Sequence, residues 1–98
     1  MDNDLIVLED AAASVISIDK KYRKADFNDK LLLKKDRDKA FNIYAKARLK
    51  LLEDGVICKQ KDIDEMKEIR SQIAHARKTQ SILIAIGRLI VFLAKKAV

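Results

Sequence analysis

The 98-residue chain has no proline and only two glycines, Gly55 and Gly87. Sheets need turn residues at short intervals, whereas helix interiors tolerate neither proline nor glycine well. So little punctuation excludes a strand-rich fold and predicts a few long helices. Tryptophan is absent and aromatics make up 5% of the residues, which leaves few rings to stack on nucleic-acid bases. The single cysteine, Cys58, cannot form an internal disulfide, so nothing points to an oxidising compartment. The opening Met1-Asp2-Asn3-Asp4 is acidic where a secretory signal is basic, and a cytoplasmic location is expected. The longest apolar run, Ile82 to Ala94, is interrupted by Arg88 and too short for a transmembrane span, which needs about 20 residues.

What is abundant is charge, and its order along the chain is informative. The net charge is +6. It divides into −5 over residues 1–19, +8 over 20–50, −3 over 51–68 and +6 over 69–98. A helix carries partial positive charge at its N-terminus and partial negative charge at its C-terminus, so acids favour starts and bases favour ends. Acidic Asp4, Glu9 and Asp10 precede basic Lys20, Lys21, Arg23 and Lys24, and the pattern repeats at 26–50 and 62–78. Charge alone marks three helices.

The apolar spacing agrees. A first helix is expected over 4–22, with Asn3 as N-cap and Leu5, Leu8, Ala12, Val15 and Ile16 on its buried face, widened by Ile6, Ala13 and Ile18. A second is expected over 28–53, capped by Asn28 or Asp26, with Leu33, Ala40, Tyr44, Ala47 and Leu51 as its stripe. Six consecutive charges, Lys34 to Lys39, interrupt that stripe. Pairing of Lys34 with Asp38 and an Arg37 stem laid over the gap favour a continuous helix. Gly55 ends it, because glycine takes a positive φ without a Cβ penalty, and Val56 is expected to touch Leu51.

A third helix is expected over 60–78, with Ile63, Met66, Ile69, Ile73 and Ala76 in register, and a fourth over 81–95. No glycine or proline separates them, so one long helix of about 50 Å is an open alternative. The fold class is all-α: a single domain, 1–98, formed by an antiparallel bundle of three to four helices.

The fourth helix is the unusual part. On a helical wheel Ser81, Arg88 and Lys95 form one thin polar line, and every other position from Ile82 to Ala94 is apolar or glycine. Such a helix must be covered on most sides, by its own domain, by another subunit or by lipid. A core helix, a self-association helix and a membrane-surface helix follow in that order. The candidate interface is Ile82, Leu83, Ile86, Leu89, Ile90 and Leu93.

No motif for catalysis, cofactor or metal binding stands out. His75 is the only histidine, and Cys58 has no partner for shared metal ligation. Asp62, Asp64, Glu65 and Glu68 form a carboxylate cluster that a helix N-terminus explains without a metal. Leu49, Leu52, Gly55, Val56 and Ile57 together resemble the helix–turn of short SHOCT-type modules, which implies a role in oligomerisation. The pattern departs where that family has threonine and acids, since Cys58, Lys59 and Gln60 stand there.

The expectation is a non-enzymatic helical interaction protein with a homo-oligomeric or other protein partner. The alternative is an anion- or nucleic-acid-binding module. If the helices alternate in direction, Lys20, Lys21, Arg23, Lys24, Lys30, Lys34, Arg77 and Lys78 gather at one pole as a basic patch.

Overall fold

The computed structural model describes every residue except Met1 and Val56. Four helices account for nearly all of it: α1 (Asn3–Lys24), α2 (Phe27–Asp54), α3 (Gln60–His75) and α4 (Thr79–Ala97). The chain is an all-α bundle, and the third and fourth helices are separate. α2 alone spans about 42 Å at 1.5 Å per residue, which matches the 41 Å long axis of the molecule.

Long-range pairs define the packing. Asp4 meets Cys58, Asp10 meets Lys67, and Lys21 meets Ala76, so α1 and α3 lie side by side and parallel. Asp19 meets Arg37, so α1 and α2 are antiparallel. Arg88 meets Gln72 and Lys96 meets Asp62, so α3 and α4 are antiparallel too. α2 packs on α4, while α2 and α3 make no contact among the described residues. The molecule is therefore two helical hairpins laid against each other, and the α2–α3 connection crosses the diagonal of a square.

Local chemistry sets the helix ends. Asp2 caps α1 by accepting from the Asp4 N–H at 2.8 Å, in place of the expected Asn3. The Asn3 amide instead donates to the Cys58 carbonyl at 3.2 Å, tying the start of α1 to the connection. Asp26 caps α2 through the Asp29 N–H at 2.9 Å. Gly55 ends α2 at φ 64° and ψ 160°, a positive φ that favours glycine. The expected contact between Val56 and Leu51 lies outside the described residues.

α3 ends at His75, three residues before the expected Lys78. Ala76 is extended at φ −69° and ψ 126°. The Lys21 ammonium donates to the Ala76 carbonyl at 2.8 Å and to that of Ala74 at 3.3 Å. A cation from α1 thereby satisfies carbonyls left free at the end of α3. Lys21 lies 55 residues from Ala76, so this stop is invisible to local pattern.

The core face of α1 is turned from the expected stripe. Val7, Leu8, Ala11, Val15 and Ile18 are buried, whereas Leu5 and Ile16 face solvent. The turn brings Asp4, Asp10 and Ser14 inside. Each has a partner: the Ser14 hydroxyl donates to the Asp10 carbonyl at 2.8 Å, and the Asp10 carboxylate pairs with Lys67 at 3.2 Å and Arg70 at 2.7 Å. On α2 and α3 the expected stripes hold, with Tyr44 only half-buried: Ile63, Met66, Ile69, Ile73 and Ala76 are buried, as are Leu33, Ala40, Ala47 and Leu51.

α2 is continuous through its six charges. Arg37 bridges the gap in the stripe, with its guanidinium 5.1 Å from the Tyr22 ring centroid and 4.8 Å from that of Phe41. It also bonds Asp19 at 2.6 Å and Asp38 at 2.8 Å. The Lys34–Asp38 pair closes at 2.8 Å.

Candidate interaction surface

The outer face of α4 follows from its sequence and from the square packing. Ile82, Ile86, Leu89 and Leu93 point into the core and are buried by the chain's own helices. Leu83 and Ile90, the other two candidate interface residues, are half-buried. Arg88 reaches Gln72 at 2.7 Å and Glu68 at 3.3 Å on α3. Lys96 reaches Asp62 at 2.9 Å and lies 5.5 Å from the Phe92 ring centroid. One flank of α4 is thus fastened to α3, which leaves Leu83 and Ile90 on the α2 side.

Opposite the core runs a second apolar line that lies outside the candidate interface. At 3.6 residues per turn, Ile84, Gly87, Val91 and Ala94 fall within an arc of about 80°, and Val98 follows just past the end of the helix. Ile84 is 56% exposed, Val91 58% and Val98 94%. Gly87 and Ala94 alternate with them, and a Cβ built on Gly87 meets no atom within 4 Å. The signal was present in the sequence as the same three-and-four spacing on the helix's other side. The polar line Ser81–Arg88–Lys95 separates this stripe from α3 and does not cover it.

The basic pole forms as the alternating directions require, but it is thinner than the sequence implies. The ends of α1 and α3 and the starts of α2 and α4 meet around an open cleft of about 540 Å³. Lys21, Lys24, Arg77 and Thr79 line it, together with Asp29 and His75. Of the eight expected basic residues, Lys21 is held by the α3 carbonyls, Arg23 by Asp19 at 2.8 Å, and Lys34 by Asp38. Lys20, Lys24, Lys30, Arg77 and Lys78 make no ion pair among the described residues. His75 is exposed, and its Nδ1 lies 2.8 Å from the Ser71 carbonyl oxygen one turn earlier.

The acidic residues are likewise committed to structure. Asp62 accepts from the Lys59 N–H at 2.9 Å and pairs with Lys96. Burial alone raises its pKa, but the Lys59 N–H and the Lys96 ammonium together hold it below the ordinary aspartate value. Asp64 accepts from the Gln60 amide at 3.0 Å. Among the described residues no three histidine, cysteine or acidic side chains converge as a metal site would require.

The most deeply placed acid is Asp4, which sequence reasoning treated as a first-turn helix charge. It is 3% exposed. Its carboxylate accepts from the Cys58 N–H at 2.7 Å and from the Ile57 N–H at 3.0 Å, and so clamps the diagonal connection. Burial, reinforced by Asp4, pushes the Cys58 thiol up to about 12. The thiol is therefore protonated at neutral pH, the opposite of an activated nucleophile.

No described helix is long and apolar enough to cross a membrane. The chain matches no protein-family model, no curated protein and no solved structure.

Proposed function

We propose that the chain is a non-enzymatic interaction protein that self-associates through the outward face of α4. The observation that carries this reading is the apolar line of exposed Ile84 and Val91 with half-buried Gly87 and Ala94, continued by exposed Val98 just past the helix end, on a helix whose opposite side is already core. Single exposed apolar residues are ordinary, whereas a contiguous line of them is a feature of interaction surfaces. The partner surface differs from the one the apolar run suggests at first sight. Ile82, Ile86, Leu89 and Leu93 hold the domain together, while Leu83 and Ile90 border the stripe and contribute to both sides.

Sedimentation equilibrium tests the proposal. The native chain is expected to form dimers as concentration rises through the micromolar range. Val91→Glu is expected to remain monomeric with an unchanged helical circular dichroism spectrum. A native chain that stays monomeric at millimolar concentration removes the reading, and so does a Val91→Glu chain that associates as the native one does.

A second reading, anion binding at the basic pole, draws on the cleft beside Lys24, Arg77 and Thr79. Lysines and arginines that neutralise phosphates release counterions, so such binding weakens steeply with salt. Retention of single- or double-stranded DNA or of RNA at 50 mM salt, lost in Arg77→Glu, supports it. No binding of any of the three at that salt concentration removes it.

A further inference from the structure

We infer that the first two turns of α2 dock on an anionic lipid surface, with Phe27, Leu31 and Leu32 entering the acyl boundary and Lys24, Lys30 and Lys35 reaching the lipid phosphates. Phe27 is 74% exposed, more than any other large apolar side chain within a described helix, and Leu31 and Leu32 are each 60% exposed. At 3.6 residues per turn, Phe27, Leu31, Lys35, Asn28 and Leu32 occupy an arc of about 140° centred opposite the buried Leu33. α1 and α4 pack against α2 on its other sides, and α3 makes no contact with it among the described residues. The arc therefore lies on the outside of the bundle. It belongs to a different helix from the outward face of α4 and does not depend on self-association.

Charge identifies the occupant. Residues 20–35 hold seven bases and two acids. Lys20, Lys24, Lys30 and Lys35 make no ion pair among the described residues. The two acids do not oppose them on the outer arc: Asp26 caps the helix by accepting the Asp29 N–H at 2.9 Å, and Asp29 lines the cleft. Asp38, one turn further on, is already paired with Lys34 and Arg37. Apolar side chains rimmed by free cations match the layering of an anionic bilayer, whose phosphates lie just outside its acyl chains. Lysine stems lie along apolar surface while their ammonium groups extend to the phosphates. A nucleic acid offers the same phosphates, but its bases stack on rings, and two of these three apolar side chains are leucines. The far end of α2 supplies the contrast. Leu49 and Leu52 are exposed there too, but residues 46–54 hold three bases and two acids, so little net charge draws that end to the surface.

Flotation of the full chain with lipid vesicles tests the inference. Vesicles of phosphatidylcholine with about one-third phosphatidylserine are expected to retain the chain at about 100 mM salt, at least about tenfold more tightly than phosphatidylcholine alone. Phe27→Trp gives the chain its one tryptophan, whose emission is expected to shift to the blue on the anionic vesicles as the ring leaves water. Leu31→Ser combined with Leu32→Ser is expected to bind about tenfold more weakly, with an unchanged helical circular dichroism spectrum. Lys24→Glu combined with Lys35→Glu is expected to weaken binding likewise, whereas Leu49→Ser, at the far end of the same helix, should bind as the native chain does. No retention on anionic vesicles overturns the inference, and nucleic-acid binding by a chain that ignores vesicles assigns the pole to phosphate polymers instead. Equal retention on neutral vesicles overturns the role of charge and with it the anionic surface. An unshifted tryptophan, or native binding by the doubly substituted leucine variant, overturns the apolar contact.

Discussion

Replacing Asp4 by alanine should destabilise this domain more than any other single change to a charged side chain. The carboxylate is 3% exposed and receives the Cys58 N–H at 2.7 Å and the Ile57 N–H at 3.0 Å. Alanine leaves both donors without an acceptor, and a buried donor left unpaired costs about 1–3 kcal/mol. Cys58 is buried and loses most of that range, whereas Ile57 is half-buried and water can reach it. Removing a buried charge returns part of the loss, because its desolvation is no longer required. The net expectation is about 2–4 kcal/mol, a large share of the roughly 5–15 kcal/mol that holds a domain together. For a chain of this size that lowers the melting temperature by about 10–25 °C. Urea unfolding followed by circular dichroism at 222 nm measures it directly. Asp2→Ala separates the local effect from the long-range one, since it removes only the N-cap bond to the Asp4 N–H and should cost about 1 kcal/mol. A loss below about 0.5 kcal/mol in Asp4→Ala, or one no greater than in Asp2→Ala, would refute the claim that this carboxylate pins the diagonal connection.

Two further predictions concern stability. Arg37→Ala should cost about 1–2 kcal/mol by opening the gap between Tyr22 and Phe41, while Arg37→Met should cost less than about 1 kcal/mol because its stem still covers the rings; equal losses in the two variants would show that the charge and not the stem matters. Asp62 titrates below the ordinary aspartate value in the folded chain, so its contribution is complete above about pH 4 and is lost as pH falls through the folded value. Melting temperatures of the native chain and Asp62→Asn should therefore differ at pH 7 and converge as pH falls through the folded value, and a gap that stays constant throughout acid titration contradicts the ion pair with Lys96.

The helices themselves were legible because the signals that make them are local. Acids at helix starts, bases at helix ends and apolar residues every three or four positions act within a turn or two, and they placed the helical segments to within a few residues while leaving open whether the third and fourth were one helix. The stop after His75 was not legible for the opposite reason. Its carbonyls are satisfied by Lys21 from another helix, and no glycine or proline in the chain announces it. The turned face of α1 has the same origin. Asp4 looks like a first-turn acid until the N–H groups of Ile57 and Cys58 are brought to it, and only then does burying it become cheaper than exposing it. Leu5 and Ile16 are left outside as a consequence. The basic pole was legible as a position and not as a charge, because Lys21, Arg23 and Lys34 are taken up by partners that pairing alone reveals.

The apolar fourth helix sharpens this distinction. Composition poses it as a choice between core and interface, yet the square packing removes the choice. In a four-helix square each helix has two neighbours and at most one diagonal contact, as between α1 and α4, which together cover little more than half of its circumference. A helix that is apolar nearly all round must then present an apolar line to the outside, however well its inner face is packed. Burying Ile82, Ile86, Leu89 and Leu93 inside is what places Ile84, Val91 and Val98 outside, since the two sets lie on opposite sides of one cylinder. The polar line of Ser81, Arg88 and Lys95 cannot hide them, because Arg88 is drawn towards α3 by Gln72 and Glu68. Core and candidate interface are thus two faces of the same helix. A substitution on the outer line tests association at little expense to the fold, whereas one on the inner line tests only the fold.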